Sequence, residues 1–165
     1  MNEIDLAKRN ARMLLELHPA VGVKVAAVLI DLQGHGWRPR IQQALRTQSE
    51  QLENLSKGVS RVRFSYHMVG LAADLLDDDN PVGKDAAAET RFCLMLASSA
   101  WAHGLDTGTL WGLSVEDRAK ATAIIAAKKW TAGVELGWDA GHVQVRGITL
   151  SEAKRGVRPG LVTSV

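Results

Sequence analysis

The stretch from Ser65 to Asp74 constrains the fold of this chain more than any other part of the sequence. It fits the pattern S-x-H-x-x-G-x-A-x-D, in which His67 and Asp74 flank a glycine and small residues. Gly70 lets the backbone turn sharply, which brings the two side chains towards one point. In a strand after that turn, Ala72 and Asp74 face the same side, and the small alanine leaves room beside the carboxylate. The pattern therefore predicts a local turn that presents two metal-ligand side chains together.

A second histidine with a nearby carboxylate lies towards the carboxyl end, at residues 139–142, Asp-Ala-Gly-His. Two imidazoles and one carboxylate suit Zn²⁺ and leave one coordination position open for water. We therefore expect His67, Asp74 and His142 to hold one zinc ion between two strands. This set of donors predicts a zinc hydrolase.

Peptide hydrolysis also needs a base and a cation that balances the developing oxyanion. Asp139, three residues before His142, is placed to take a proton from water and return it to the leaving amine. Glu135 is the alternative base, but it lies further from His142 along the sequence, so we favour Asp139. Arg46 is the candidate cation, because its guanidinium stays charged and can approach the carbonyl oxygen opposite the zinc. The other histidines are assigned structural positions: His18, His35 and His103.

The composition is that of an ordinary soluble globular domain. The chain has 165 residues, of which 46% are hydrophobic and 23% charged, which suits one domain over 1–165. The net charge is only +2, with Lys and Arg spread along the chain, so we expect no nucleic-acid groove. Cys93 is the single cysteine, which excludes an intrachain disulfide, and its apolar neighbours predict a buried thiol. The five tryptophans suit core anchors or pocket walls.

The amino terminus and the most apolar run bear on where such a chain acts. The first five residues are acidic and lack the basic and apolar regions of a signal peptide, so we expect cytoplasmic synthesis without an export signal. The run 21–30 is interrupted by Lys24 and is too short to span a bilayer, so we expect no stable membrane insertion. We expect a monomer.

Helix and strand signals are mixed without a regular βαβ alternation, which predicts an α+β fold. Thr47 and Glu50 form a capping box before a short helix that Gly58 ends, and Pro19 suits the first turn of another helix. The remaining predicted helices cover 4–17, 19–33, 86–103 and 114–129. The predicted extended segments are 37–46, 71–76 and 137–145, with a surface loop at 77–84 and a mobile tail from about 152.

With these residues in view, the chain resembles the zinc D-Ala-D-Ala carboxypeptidase and L-alanyl-D-glutamate endopeptidase family, above all its bacteriophage endolysin branch. The ten-residue motif is matched at every defined position. The family's G-Y-R-S-x-x-E-Q element corresponds to residues 44–51, with Arg46, Glu50 and Gln51 matched. Its closing D-x-P-H-F-Q element corresponds to residues 139–144. The resemblance extends from about residue 14 to residue 146.

The resemblance implies an α+β fold of the Hedgehog and DD-peptidase type, in which a small antiparallel sheet carries the zinc site and is flanked by helices. It also implies roles for seven residues: zinc ligands His67, Asp74 and His142, catalytic base Asp139, carbonyl-polarising Arg46, and the substrate-binding or supporting residues Ser65 and Gln51.

The implied activity is that of a peptidoglycan endopeptidase that cuts the stem peptide between L-alanine and D-glutamate. Such a phage enzyme would be made in the host cytoplasm and would act on the cell wall after release. A D-Ala-D-Ala carboxypeptidase or dipeptidase is the alternative within the family. Outside the enzymes, the alternative is a virion protein that binds stem peptides and uses zinc only to hold its fold.

The sequence departs from the family pattern in three places. Gly141 and Val143 replace the usual proline and aromatic residue beside His142. The Trp-Gly-Gly segment is reduced to Trp-Gly-Leu at 111–113, and the predicted helix at 114–129 resembles an insertion. We expect these differences to affect substrate choice more than metal binding.

Overall fold

The computed structural model describes residues 1–81, 84–131 and 133–160. Within these ranges the α-helices are α1 Glu3–Leu15, α2 Pro19–Gly34, α3 Gln48–Ser56, α4 Ala86–Ala102, α5 Val115–Ala126 and α6 Leu150–Lys154. The strands are β1 Pro39–Gln43, β2 Ala72–Asp77, β3 Leu105–Gly108 and β4 Asp139–Val145, and a 3₁₀ helix spans Tyr66–Val69. The strands form one antiparallel sheet in the order β1-β2-β4-β3. The predicted α+β class is confirmed.

Side-chain caps set the start of the helices next to the site. Pro19 occupies the first turn of α2, where its missing N–H costs nothing, and His18 caps that helix by accepting from the Ala20 N–H at 3.3 Å. Before α3, the Thr47 hydroxyl accepts from the Glu50 N–H at 3.2 Å, and the Glu50 carboxylate accepts from the Thr47 N–H at 2.7 Å. The predicted capping box is therefore confirmed.

The two faces of the sheet divide the core from the site. Side chains alternate along a strand, so every second residue faces the helices. The core face carries Leu71, Ala73 and Leu75 around β2 and Val143 and Val145 on β4, and these pack with buried residues of α2 and α4. Ala72, Asp74, His142 and Gln144 consequently share the opposite face.

Strand β3, helix α6 and the 3₁₀ helix at Tyr66–Val69 were not predicted. The edge strand β3 follows α4 directly, and its four residues are too few to show the alternation that identifies a strand. Helix α6 begins at a capping box in which Thr149 and Glu152 bond reciprocally, and its Ala153 is 1% exposed. Residues 152–154 of the predicted mobile tail thus belong to this helix, and the mobility of the tail stays a prediction; residues 161–165 lie outside the described ones.

Several predicted boundaries also differ. The extended segment at 37–46 is a strand only as far as Gln43, because the pairing with β2 shifts register between Ile41 and Gln43. Asp77 belongs to β2 rather than to the predicted loop at 77–84, of which residues 82 and 83 lie outside the described chain. In the described ranges, no helix has both the length and the apolarity needed to cross a membrane.

Candidate metal site and cleft

Three potential metal ligands meet at the centre of the sheet. The register of β2 with β4 pairs Asp74 directly with His142. His67 comes from the 3₁₀ helix before β2, and Gly70 turns the chain between them with a φ of +67°. A side chain at Gly70 would also approach the Glu16 carbonyl oxygen and the His18 nitrogen to 2.9 Å. Glycine is thus required both by the conformation and by the contact.

The ligand atoms of His67, Asp74 and His142 all lie within 4.8 Å of one another. Asp74 Oδ1 is 2.9 Å from His142 Nδ1 and 3.3 Å from His67 Nε2, and the two imidazole nitrogens are 3.3 Å apart. His67 is 2% exposed and His142 is 6% exposed. This predicted cluster could therefore hold a metal ion.

The outer partners of the two imidazoles favour a cation between them. His67 Nδ1 is 2.8 Å from the Ala44 carbonyl oxygen, and His142 Nε2 is 3.1 Å from the Gln144 side-chain oxygen. An oxygen acceptor at each outer nitrogen draws the ring proton there, so the inner nitrogens present lone pairs to each other and to the carboxylate. With both ring protons on the outer nitrogens, three electron-pair donors at this distance repel unless a positive charge, either a proton or a metal ion, lies among them. The donor set thus fits a divalent metal of the zinc type.

The charges in the cluster are strongly coupled. Burial acts to raise the pKa of Asp74, but hydrogen bonds and charge interactions with His142 and His67 outweigh it and hold that pKa below its ordinary value. Burial acts to lower the pKa of His142, and the hydrogen bond and charge of Asp74, followed by the charge of Asp139, raise it instead. Asp74 and His142 therefore stabilise each other's charged forms.

Asp139 reaches the cluster because β4 is irregular. Two residues that are three apart in a regular strand point to opposite faces. Thr107 and Gly108 are adjacent on β3, but their partners on β4, Val143 and Asp139, are four residues apart. Strand β4 therefore bulges between residues 139 and 143. Asp139 Oδ2 is consequently 3.8 Å from His142 Nδ1.

The environment of Asp139 differs from that of Asp74. Its side chain is 37% exposed, and it lines an open cleft. Burial raises the pKa of Asp139; the imidazole of His142 opposes this rise and the carboxylate of Asp74 adds to it. Glu135, the alternative base, is exposed and lies outside the described lining of the cleft.

Arg46 lies beside the cluster and is held by glutamines. Its Nη2 is 3.8 Å from Asp74 Oδ2, its Nε donates to Gln43 Oε1 at 2.9 Å, and its Nη1 donates to Gln51 Oε1 at 2.8 Å. A further bond joins Arg46 Nη2 to the same Gln43 oxygen. Gln51 is fully buried, contacts Arg46 and lies outside the described lining of the cleft. The substrate-binding alternative for Gln51 is not supported by this position.

An open cleft of about 650 Å³ surrounds the cluster. Ser65 lines it and accepts a hydrogen bond from the His67 N–H at 3.3 Å. The Trp111 ring lies 5.1 Å from the ring of His142 and 5.5 Å from that of Trp138, which is 66% exposed at the cleft. These two tryptophans are pocket walls, whereas Trp37, Trp101 and Trp130 pack against the two core clusters.

A second cavity of about 510 Å³ adjoins the first on the side of β1 and α4. The two cavities share Asp74, Trp138 and Asp139 as lining residues. Its other lining side chains include Gln42, Asn54, Asp77, Asn80 and Glu89. The two cavities therefore meet beside the ligand cluster.

No protein-family model matches this chain, and no curated protein matches it in sequence. Among solved structures, the crystal structure of the Serratia marcescens L-Ala D-Glu endopeptidase ChiX matches with a TM-score of 0.55. The two chains are 17% identical, and the match covers 87% of this chain and 93% of that chain. The likeness is one of fold. It agrees with the DD-peptidase-like architecture predicted from the sequence.

Several supporting groups were not identified from the sequence. The Ala44 carbonyl and Gln43 lie in a segment with no distinctive side-chain pattern, and only the folded backbone brings them to His67 and Arg46. Gln144 could have been found, because a residue two positions after His142 in a strand shares its face. Trp138 precedes Asp139 directly, but neighbouring residues in a strand point apart, so its place at the cleft was not evident.

Proposed function

We propose that this chain is a zinc-dependent peptidoglycan peptidase that cleaves the L-Ala–D-Glu bond of the stem peptide. The observation that carries the proposal is the convergence of His67, Asp74 and His142 in an open cleft beside Asp139 and Arg46. The shared fold with a protein described as an L-Ala D-Glu endopeptidase supports the substrate class. The resemblance to phage endolysins supports release from a host cytoplasm onto the cell wall, with the domain acting as a monomer.

His67 Nε2, His142 Nδ1 and one Asp74 oxygen would hold the metal. When bound, zinc supplies a Lewis acid and generates a nucleophile from water at neutral pH. The protein's own contribution starts with the Ala44 carbonyl, which orients the His67 ring by accepting its outer proton. Gln144 has the corresponding place beside His142.

Asp139 is the proposed general base. It lies within 3.8 Å of a ligand nitrogen yet remains partly exposed, so a water molecule at the cluster can reach its carboxylate. It would take the proton from the attacking water and pass it to the nitrogen of the leaving amine. A raised pKa helps that carboxylate to hold the proton between the two steps.

Arg46 is the proposed cation that balances the negative charge on the substrate carbonyl oxygen. Its hydrogen bonds to Gln43 and Gln51 fix the guanidinium plane before substrate arrives. A preorganised donor loses little energy to reorientation during the reaction, which is why its removal typically costs about 100- to 1000-fold in rate.

The shape of the groove favours an endopeptidase over a carboxypeptidase. Peptide on both sides of the scissile bond needs room on both sides of the metal, and the cavities of about 650 and 510 Å³ supply it. The two adjoining cavities thus support cleavage inside the stem peptide.

Digestion of purified peptidoglycan, followed by mass spectrometry of the new ends, tests the proposal. We expect new D-glutamate amino termini to appear with the zinc-loaded protein. Release of free D-alanine without those termini would instead identify a carboxypeptidase. Zinc binding and stem-peptide binding without any cleavage would identify the non-catalytic alternative.

A further inference from the structure

The described lining of the larger cavity contains two basic side chains, Arg46 and Arg61. Arg46 is engaged by Gln43, Gln51 and Asp74, as described above. Arg61 is exposed, and it makes no hydrogen bond or ion pair with any residue of the described chain. Its guanidinium is therefore available to an anion that enters the cleft.

The backbone around Arg61 is fixed by the same buried glutamine that holds Arg46. Gln51 Nε2 donates to Ser60 Oγ at 2.8 Å and to the Val62 carbonyl oxygen at 2.6 Å, one residue on each side of Arg61. The Ser60 N–H also donates to the Asn54 carbonyl oxygen at 3.0 Å. A hydrogen-bonded chain thus connects the two arginine positions across the cleft wall.

The second cavity has the opposite character. Its described lining includes the carboxylates Asp77 and Glu89 in addition to Asp74 and Asp139, and it includes no lysine or arginine. A free carboxylate would face like charges there, whereas in the larger cavity it would meet Arg61. The groove is therefore divided by charge at the ligand cluster.

We infer that Arg61 is a specificity-determining residue that binds the α-carboxylate of D-glutamate next to the scissile bond. In the stem peptide D-glutamate continues through its side chain, so its α-carboxylate stays free on the carbon that carries the nitrogen of the scissile bond. Arginine matches a carboxylate in a bidentate geometry, which adds orientation as well as attraction. This inference rests on the proposed function, since it names the group of the stem peptide that the cleft recognises.

Two synthetic stem peptides provide the test: one with the D-glutamate α-carboxylate free and one with it converted to the carboxamide. In the wild-type zinc-loaded protein we expect KM about tenfold lower for the acid, because a charge-assisted bond at an exposed arginine is lost in the amide. Arg61→Gln should raise KM for the acid about tenfold, leave KM for the amide unchanged, and leave kcat within about twofold.

Arg63→Gln is the matched control, because Arg63 is also exposed, lies two residues away and is outside the described lining of the cleft. We expect it to retain the wild-type preference for the acid. An acid-to-amide ratio that Arg61→Gln leaves unchanged would overturn the inference.

Binding separates this inference from the proposed activity. Trp111 and Trp138 line the cleft, so their fluorescence reports peptide binding without cleavage. If the wild-type protein binds the acid more tightly than the amide and Arg61→Gln abolishes this preference, the inference is supported even when neither peptide is cut. In that case only the proposed activity would fail. Equal binding of both peptides to the wild-type protein would overturn the inference whatever the activity.

Discussion

At the scale of single residues, the account depends on where two carboxylates lie. Asp74 lies inside the ligand cluster, where both imidazoles hold it in the charged form. Asp139 lies at the edge of the cluster, where it is partly exposed and burial raises its pKa. Two carboxylates in different environments can take different roles, one as ligand and one as base.

Asp139→Asn should keep the metal and lose the activity. The amide preserves shape but cannot accept the proton, so we expect kcat/KM to fall by about 10²- to 10⁴-fold. Zinc content measured on the same preparation should stay at the wild-type level, because Asp139 is outside the ligand cluster. Glu135→Gln is the control and should be close to wild type. Unchanged hydrolysis by Asp139→Asn with zinc bound would refute the assignment of the base.

Gln51→Met should weaken both stability and activity. It leaves the Arg46 Nη1–H without its Gln51 acceptor and removes the Gln51 donor to the Ser60 hydroxyl and the Val62 carbonyl, so we expect the free energy of unfolding to fall by about 1–3 kcal/mol. The rate of hydrolysis should fall as well, because Arg46 loses one of its fixed contacts. Gln48→Met on the exposed face of the same helix should change stability by less than about 0.5 kcal/mol in urea unfolding. Equal effects of Gln51→Met and Gln48→Met would contradict the proposed role of Gln51 in holding Arg46.

At the scale of elements, local signals predicted the parts that local interactions determine. The capping box at Thr47 and the left-handed turn at Gly70 follow from side-chain chemistry within a few residues, and both are present. Strand β3 depends on pairing with β4, which no short window of sequence contains. The β4 bulge that turns Asp139 towards the site also depends on pairing with β3. The sequence therefore suggested Asp139 from its spacing to His142, but it did not show the bulge that brings the two together.

Gly141 tests the packing of this irregular strand. A Cβ there would lie 2.6 Å from the Leu75 carbonyl oxygen on the adjacent strand. Gly141→Ala should therefore force β4 away from β2 and lower the free energy of unfolding by about 1–3 kcal/mol. Gly34→Ala at the end of α2 meets no atom within 4 Å and should be neutral or stabilising by up to about 1 kcal/mol. Denaturant unfolding of both variants measures the two free energies. An unchanged free energy of unfolding for Gly141→Ala would contradict the close packing of β4 against β2 at this position.

At the scale of the whole molecule, one main core joins α2, α4 and the sheet beneath the ligand cluster. Its residues come from most of the chain, from Met13 to Ala153. The candidate ligands His67, Asp74 and His142 come from two distant segments of the chain, so the cluster exists only when the domain is folded. The strand period predicted that Ala72 and Asp74 share a face, while the order of the strands followed from contacts that the pattern does not encode.

Cys93 reports on this core. It is 4% exposed on α4, and burial raises the pKa of its thiol to about 12. A thiol reagent such as Ellman's should therefore leave the native protein unmodified at pH 8 and react only as the domain unfolds. The onset of labelling in guanidinium should coincide with the loss of helical circular dichroism. Rapid stoichiometric labelling without denaturant would contradict the buried position.

The most direct test of the central claim is hydrolysis of purified peptidoglycan by one preparation before chelation, after removal of metal and after addition of zinc. We expect activity to vanish with the metal and to return with about one equivalent of zinc per chain. Full activity in the metal-free protein would contradict the account, because His67, Asp74 and His142 would then have no part in the chemistry.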